Sequence, residues 1–128
     1  MSPAELLNID ADALPPCFGL RDTLPAHDGD WHTHSRHQLL YASGGSLRLV
    51  TDNATWLLPP QRAAWLPAGT RHRTASPASV ALRTIYFQPE FAAFPQVPTT
   101  VFTVTPLCRV ATDQGMPSNS WCSSFQPL

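Results

Sequence analysis

Fourteen of the 128 residues are proline, roughly twice the usual share, and they are distributed along the chain rather than gathered in one linker. Each removes a backbone donor and clashes with the preceding turn of a helix. Pro15, Pro16, Pro25, Pro59, Pro60, Pro67, Pro77, Pro89, Pro95, Pro98 and Pro106 therefore punctuate short elements and leave little room for long helices. A fold of this chain is assembled from short extended pieces.

The stretches between the breaks have the matching pattern. Ser46-Leu47-Arg48-Leu49-Val50-Thr51 alternates polar and apolar with period two, the mark of a half-buried strand. Asp52-Asn53 turns it back, and Thr55 to Leu58 is the expected hairpin partner. Gln38 to Ala42 precedes it, with Ser43-Gly44-Gly45 as the turn between. Further strands are expected over Ala63 to Leu66, from His72 to Thr74, over Val80 to Phe87 and from Thr99 to Val104, with a weaker first one over Cys17 to Thr23. Ala26 to Asp30 reads as a loop by composition. About eight strands at such spacing predict a single-domain, all-β barrel or jelly roll. Residues 1–14 form an N-terminal segment with a weakly helical stretch over Ser2 to Ala13, residues 15–107 the barrel, and residues 108–128 an irregular, serine-rich tail.

Composition limits what such a domain does. Charged residues make up 13% of the chain, about half the usual share, the net charge is −1, and none of the eight basic residues is a lysine. That is a poor footprint for phosphate neutralisation, so no direct nucleic-acid binding by this chain alone is expected. No apolar run approaches 18 residues and no signal-peptide pattern opens the chain, which predicts a cytoplasmic protein with no membrane contact. Cys17, Cys108 and Cys122 have neither a framework spacing nor a Cys-x-x-Cys pair; Cys17 is expected as a buried hydrophobe and the other two as free thiols.

Three of the five histidines fall within Trp31-His32-Thr33-His34-Ser35-Arg36-His37-Gln38. On a strand, residues two apart share a face, so His32 and His34 would project together and Gln38, at an even offset, would join them. His37 falls on the opposite parity. A further ligand must come from elsewhere, and His72, behind the Pro67-Ala68-Gly69 turn, is the only histidine downstream.

His32-x-His34-x-x-x-Gln38 followed by Gly45, with Pro67-x-Gly69-x-x-His72, resembles the two motifs of the cupin superfamily. Gln38 stands where that pattern has glutamate, and Ala26 where it has its opening glycine. The string from His37 to Gly44, the string Trp56 to His72 and the segment Val80 to Phe87 are similar, more narrowly, to the amino-terminal sensor domain of AraC-type transcription regulators, over about residues 15 to 107. The resemblance implies a small double-stranded β-helix barrel, a small-molecule effector, a homodimer, and a site of His32, His34, Gln38 and His72 able to hold a divalent transition metal such as zinc, nickel, iron or copper. The DNA-binding half of such regulators is missing, and residues 108–128 do not continue as their linker helix, so a native tail, a truncation and a frameshift product all stay open.

Gln38 shapes the functional expectation. A neutral amide is a weaker ligand than a carboxylate and supplies no general base, which favours sensing over catalysis. A metal-dependent dioxygenase or isomerase is the alternative, with the three histidines holding the ion. Trp31, beside the first ligand, with Trp65 and Tyr86, are the candidate ligand-binding aromatics, against a core role for such side chains. Arg36, Arg71 and Arg73 are expected on the solvated surface, and His27 in a loop.

Overall fold

The computed structural model describes residues 9, 11, 13–94 and 96–103. The helix expected over Ser2 to Ala13 lies largely outside these residues, and the tail from Cys108 to Leu128 entirely so. Among the described residues nine strands follow in order: β1 (Cys17–Leu24), β2 (His27–Asp28), β3 (His37–Gly44), β4 (Leu47–Thr51), β5 (Thr55–Leu58), β6 (Arg62–Leu66), β7 (His72–Ser76), β8 (Val80–Phe87) and β9 (Thr100–Thr103). Every pairing is antiparallel, in a five-stranded sheet ordered β1-β8-β3-β6-β9 and a four-stranded sheet ordered β2-β7-β4-β5. This is the all-β, two-sheet architecture that the strand spacing predicts.

The turns explain the short elements. Arg62 N–H donates to Pro59 O at 3.2 Å, with Pro60 and Gln61 between them and Gln61 at φ +79°. Proline cannot take a positive φ, so this is a type II turn, and Gln61 occupies the position that favours glycine. Gly45 links β3 to β4 at φ +79°, where a Cβ would stand 2.8 Å from the Ser79 carbonyl. Only glycine fits there without movement.

Strand parity then builds two cores. Leu40 and Ala42 of β3, Leu47 and Leu49 of β4, Leu58, Leu66, Val80 and Leu82 fill the space between the sheets. The alternate residues Leu39 and Tyr41 of β3 and Ile85 and Phe87 of β8 form a second cluster on the opposite face of the five-stranded sheet. Phe91 and Phe94, in and after a single 3-10 turn at Pro89–Phe91, pack against it. Both faces of β3 are buried, which is why its sequence is a near-continuous apolar run rather than an alternation.

Three expectations need correction. Arg36 is not solvated but 2% exposed: its guanidinium donates to the carbonyls of Pro15 at 2.7 Å, Ala11 at 3.0 Å and Leu14 at 3.4 Å and lies over the Phe18 ring. A cation can be buried here because it caps three carbonyls of the segment leading into β1. His27 is no loop residue: with Asp28 it pairs with Ser76 and Ala75, and its Nε2 lies 3.1 Å from Thr74 Oγ1. Two residues are too short for any alternation to announce them. Cys17 is fully buried, as expected, but is also disulfide-bonded; Cys108 and Cys122 lie outside the described residues. Among the described residues no helix is long and apolar enough to cross a membrane.

Candidate functional site

The site is organised by backbone pairing between two distant segments. His32, outside the regular strands, forms an isolated antiparallel bridge with His72, the first residue of β7, each N–H donating to the other's carbonyl at 2.9 Å. The turn before β7 fixes the neighbouring segment. Thr70 N–H closes it onto Pro67 O at 3.1 Å, Gly69 sits at φ +83°, and its freed N–H donates to His34 O at 2.8 Å. Ala68 N–H donates to His37 Nδ1 at 2.9 Å. One type II turn thus holds the segment carrying His34 at one end and delivers His72 at the other.

His32 and His34 come together, but not as members of β3. That strand begins at His37, and residues 33–36 lie outside any strand. The unbroken-strand argument for Gln38 therefore fails locally. Gln38 reaches the same interior by pairing with Tyr86 of β8, both on the inward face.

One ring nitrogen from each of His32, His34 and His72 lies within 4.8 Å of the others. Ring centroids are 5.0 Å apart for His32 and His34, 4.3 Å for His32 and His72, and 5.7 Å for His34 and His72. Two tautomers follow from chemistry, since a carbonyl only accepts. His32 Nδ1 donates to Asp30 O at 3.0 Å and His72 Nδ1 to Thr70 O at 2.8 Å, which leaves each Nε2 lone pair available. Burial lowers the pKa of His72 to about 4, with the Thr70 carbonyl opposing and the two neighbouring imidazoles adding to the fall. His72 is therefore neutral at pH 7, the form that ligates a metal. Nitrogens in a tetrahedral zinc site stand roughly 3.4 Å apart, so small side-chain rotations bring this set to bonding distance. The donor set fits a borderline transition metal.

These histidines line one end of a cavity of about 260 Å3 between the two sheets. Gln38, Tyr86, Thr84 and Thr74 continue the polar wall, Asp22 borders it, and Leu20, Leu24, Leu40, Leu82 and Ile9 supply the apolar side. The Tyr86 ring stands 5.7 Å from that of His34, and Gln38 Nε2 reaches Tyr86 Oη at 3.5 Å.

Trp31 and Trp65 lie elsewhere. Trp65 pairs with Leu39 and so faces the outer cluster, packed on His37, Phe87 and Phe94. His37 accompanies it there, on the opposite parity from Gln38, and burial lowers its pKa. Trp31 is 38% exposed beneath the Arg71 guanidinium, 4.0 Å from its ring centre, and Arg73 lies 5.8 Å away. Both arginines are paired with aspartates, Arg71 with Asp52 and Arg73 with Asp28. Sequence reasoning missed Thr84, although it stands two residues before Tyr86 on the same face. It also missed Asp22, for which no such signal existed until the register of β1 against β8 placed it opposite Leu82.

Comparison with known proteins settles the family. Residues 14–100 match the AraC-like ligand binding domain. This chain belongs to that family. The AraC-like domain is 33% identical over 78 residues to the HTH-type transcriptional regulator NimR of Escherichia coli K12, an alignment covering 61% of this chain and 28% of that protein. The chain thus spans under a third of that relative. Its fold is shared with ToxT from Vibrio cholerae, with TM-score 0.61 and 8% identity over 87% of this chain and 53% of that one. A cupin 2 conserved barrel protein from Salinispora arenicola gives TM-score 0.51 and 20% identity over 62% and 70% of the two chains. The AraC-like domain therefore has the cupin fold.

Proposed function

We propose that this AraC-like domain is the effector-sensing module of a transcriptional regulator, and that its effector is a small molecule held in the 260 Å3 cavity beside a three-histidine metal site. The observation that carries the reading is the convergence of His32, His34 and His72 on the wall of a partly open, largely apolar cavity, with two of their tautomers set by backbone carbonyls. A bound divalent metal would supply an open coordination position to an effector. Gln38, the fourth donor expected from the sequence, offers a neutral amide in place of a carboxylate and no general base, which favours binding over turnover. Homodimer formation and a cytoplasmic location belong to the same proposal, as does DNA recognition by a part of the regulator other than these 128 residues.

Metal content of protein purified without an affinity tag, followed by calorimetric titration with zinc and nickel, tests the reading. The expected result is a 1:1 site of exchangeable metal, lost together in His32→Ala and His72→Ala. Retention of one stoichiometric redox metal with turnover of an organic substrate would favour the enzyme instead, and site-specific binding of DNA by these 128 residues alone would overturn the division of labour.

A further inference from the structure

The cavity wall is chemically unbalanced in a way that selects a ligand. Gln38 is 7% exposed, and its Oε1 is buried without a hydrogen-bond partner. A buried amide oxygen in that state has lost its hydration with no donor in exchange, so whatever fills the cavity gains by supplying one. The charge of the wall is equally one-sided. Asp22 contributes a carboxylate, and among the described residues no arginine or lysine lines the cavity. An anion entering the metal-free cavity would be desolvated beside a carboxylate, with three imidazoles but no guanidinium or ammonium to meet it.

Size narrows the class further. A cavity of about 260 Å3 lies just below the range of drug-sized pockets. It has room for at least a ring-sized molecule, on the order of ten non-hydrogen atoms at about 30 Å3 per liquid water. Leu20, Leu40 and Leu82 line its apolar side. From these observations we infer that the ligand is a small molecule with an N–H or O–H donor on Gln38 Oε1 and an apolar, ring-sized body against the three leucines, and that the metal-free cavity takes it in uncharged or cationic form. The inference rests on the effector-binding reading above and narrows it to a chemical class.

Three probes of one shape test it: benzamide, which carries an N–H donor; methyl benzoate, which has none; and benzoate, which is an anion. Binding is followed by methyl NMR shifts of Leu20, Leu40 and Leu82 in protein dialysed against a chelator, so that no metal recruits the anion. Benzamide is expected to bind at least about tenfold more tightly than either of the others, the loss typical of an unanswered buried hydrogen-bonding group. Gln38→Leu is expected to erase its advantage over methyl benzoate; the wild-type ratios stand whether or not that variant folds. Benzoate or methyl benzoate binding as tightly as benzamide would overturn the ligand class while leaving the cavity as an effector site. Silence of all three leucines toward all three probes would overturn the class and the effector reading together.

Discussion

The amide of Gly69 donates to the carbonyl of His34 at 2.8 Å, across a turn whose far end leads into His72. The glycine in Pro67-x-Gly69-x-x-His72 is thereby explained in physical terms. It supplies the positive φ of a type II turn, and the turn aims its N–H at the loop that carries another of the clustered histidines.

Two glycines at nearly the same φ should respond differently to alanine. At Gly69 nothing lies within 4 Å of a new Cβ, so Gly69→Ala meets only the left-handed backbone strain of about 1–2 kcal/mol. At Gly45 the Cβ also meets Ser79 O at 2.8 Å, so Gly45→Ala should cost at least about 1 kcal/mol more. Urea denaturation of the two variants checks the order, and equal midpoints would contradict it.

Gln61 is the converse case, a side chain at a glycine position. Gln61→Gly should raise stability by about 0.5–1 kcal/mol, read as a higher thermal midpoint, because relief of the φ of +79° outweighs the added freedom of the unfolded chain.

Removing any of the clustered imidazoles should lower zinc affinity by about 100-fold or more, since even disturbing the groups that orient a ligand costs 10- to 100-fold. His37→Ala should change it less than about threefold, because His37 packs on Trp65 and Phe94 across the sheet from the cavity. Competition with a chromophoric chelator measures all four variants, and a His37 effect as large as that of His34 would refute the assignment.

The pH dependence follows from His72. Its pKa is about 4 in the fold and near 6.5 in the unfolded chain, so between those values the unfolded state binds the extra proton. Its contribution is complete above pH 6.5 and is lost as pH falls toward 4, on the order of 3 kcal/mol in total. The lowered pKa of His37 acts in the same direction. Urea midpoints of metal-free protein between pH 7.5 and 4.5 should fall with pH, and His72→Gln should flatten that slope.

Arg36→Met keeps the apolar stem over Phe18 but strips the donors from the carbonyls of Ala11, Leu14 and Pro15. A loss of about 2–4 kcal/mol is expected, with partial recovery in Arg36→Lys. An unchanged unfolding midpoint in Arg36→Met would remove the carbonyl cap from the account.

What the sequence disclosed and what it hid divide along one physical line. Period-two alternation located β4, the Asp52-Asn53 turn located its partner β5, and parity separated His37 from Gln38, because all three are local properties of the chain. The resemblance brought in His72, which no local pattern links to His32. Arg36 was misplaced because its acceptors are backbone carbonyls some 20 residues earlier in the chain, invisible to any side-chain pattern. Trp65 was drawn toward the ligand because an aromatic beside a motif looks the same whichever face it takes, and only its pairing with Leu39 assigns the face. The cavity itself depended on the register of β1 and β8, which nothing in either strand announces.

The doubly covered sheet has a consequence for how the cavity opens. β3 and β8 are largely buried on both faces, whereas the opposite sheet meets water through Arg48, Leu57 and Thr55. Local opening is cheapest where few apolar contacts must break. The cavity accordingly has a stiff wall on β3 and β8 and a more compliant side at β7, where His72 and Thr74 line it: backbone amides of β3 and β8 should exchange slowest, and those of β7 faster.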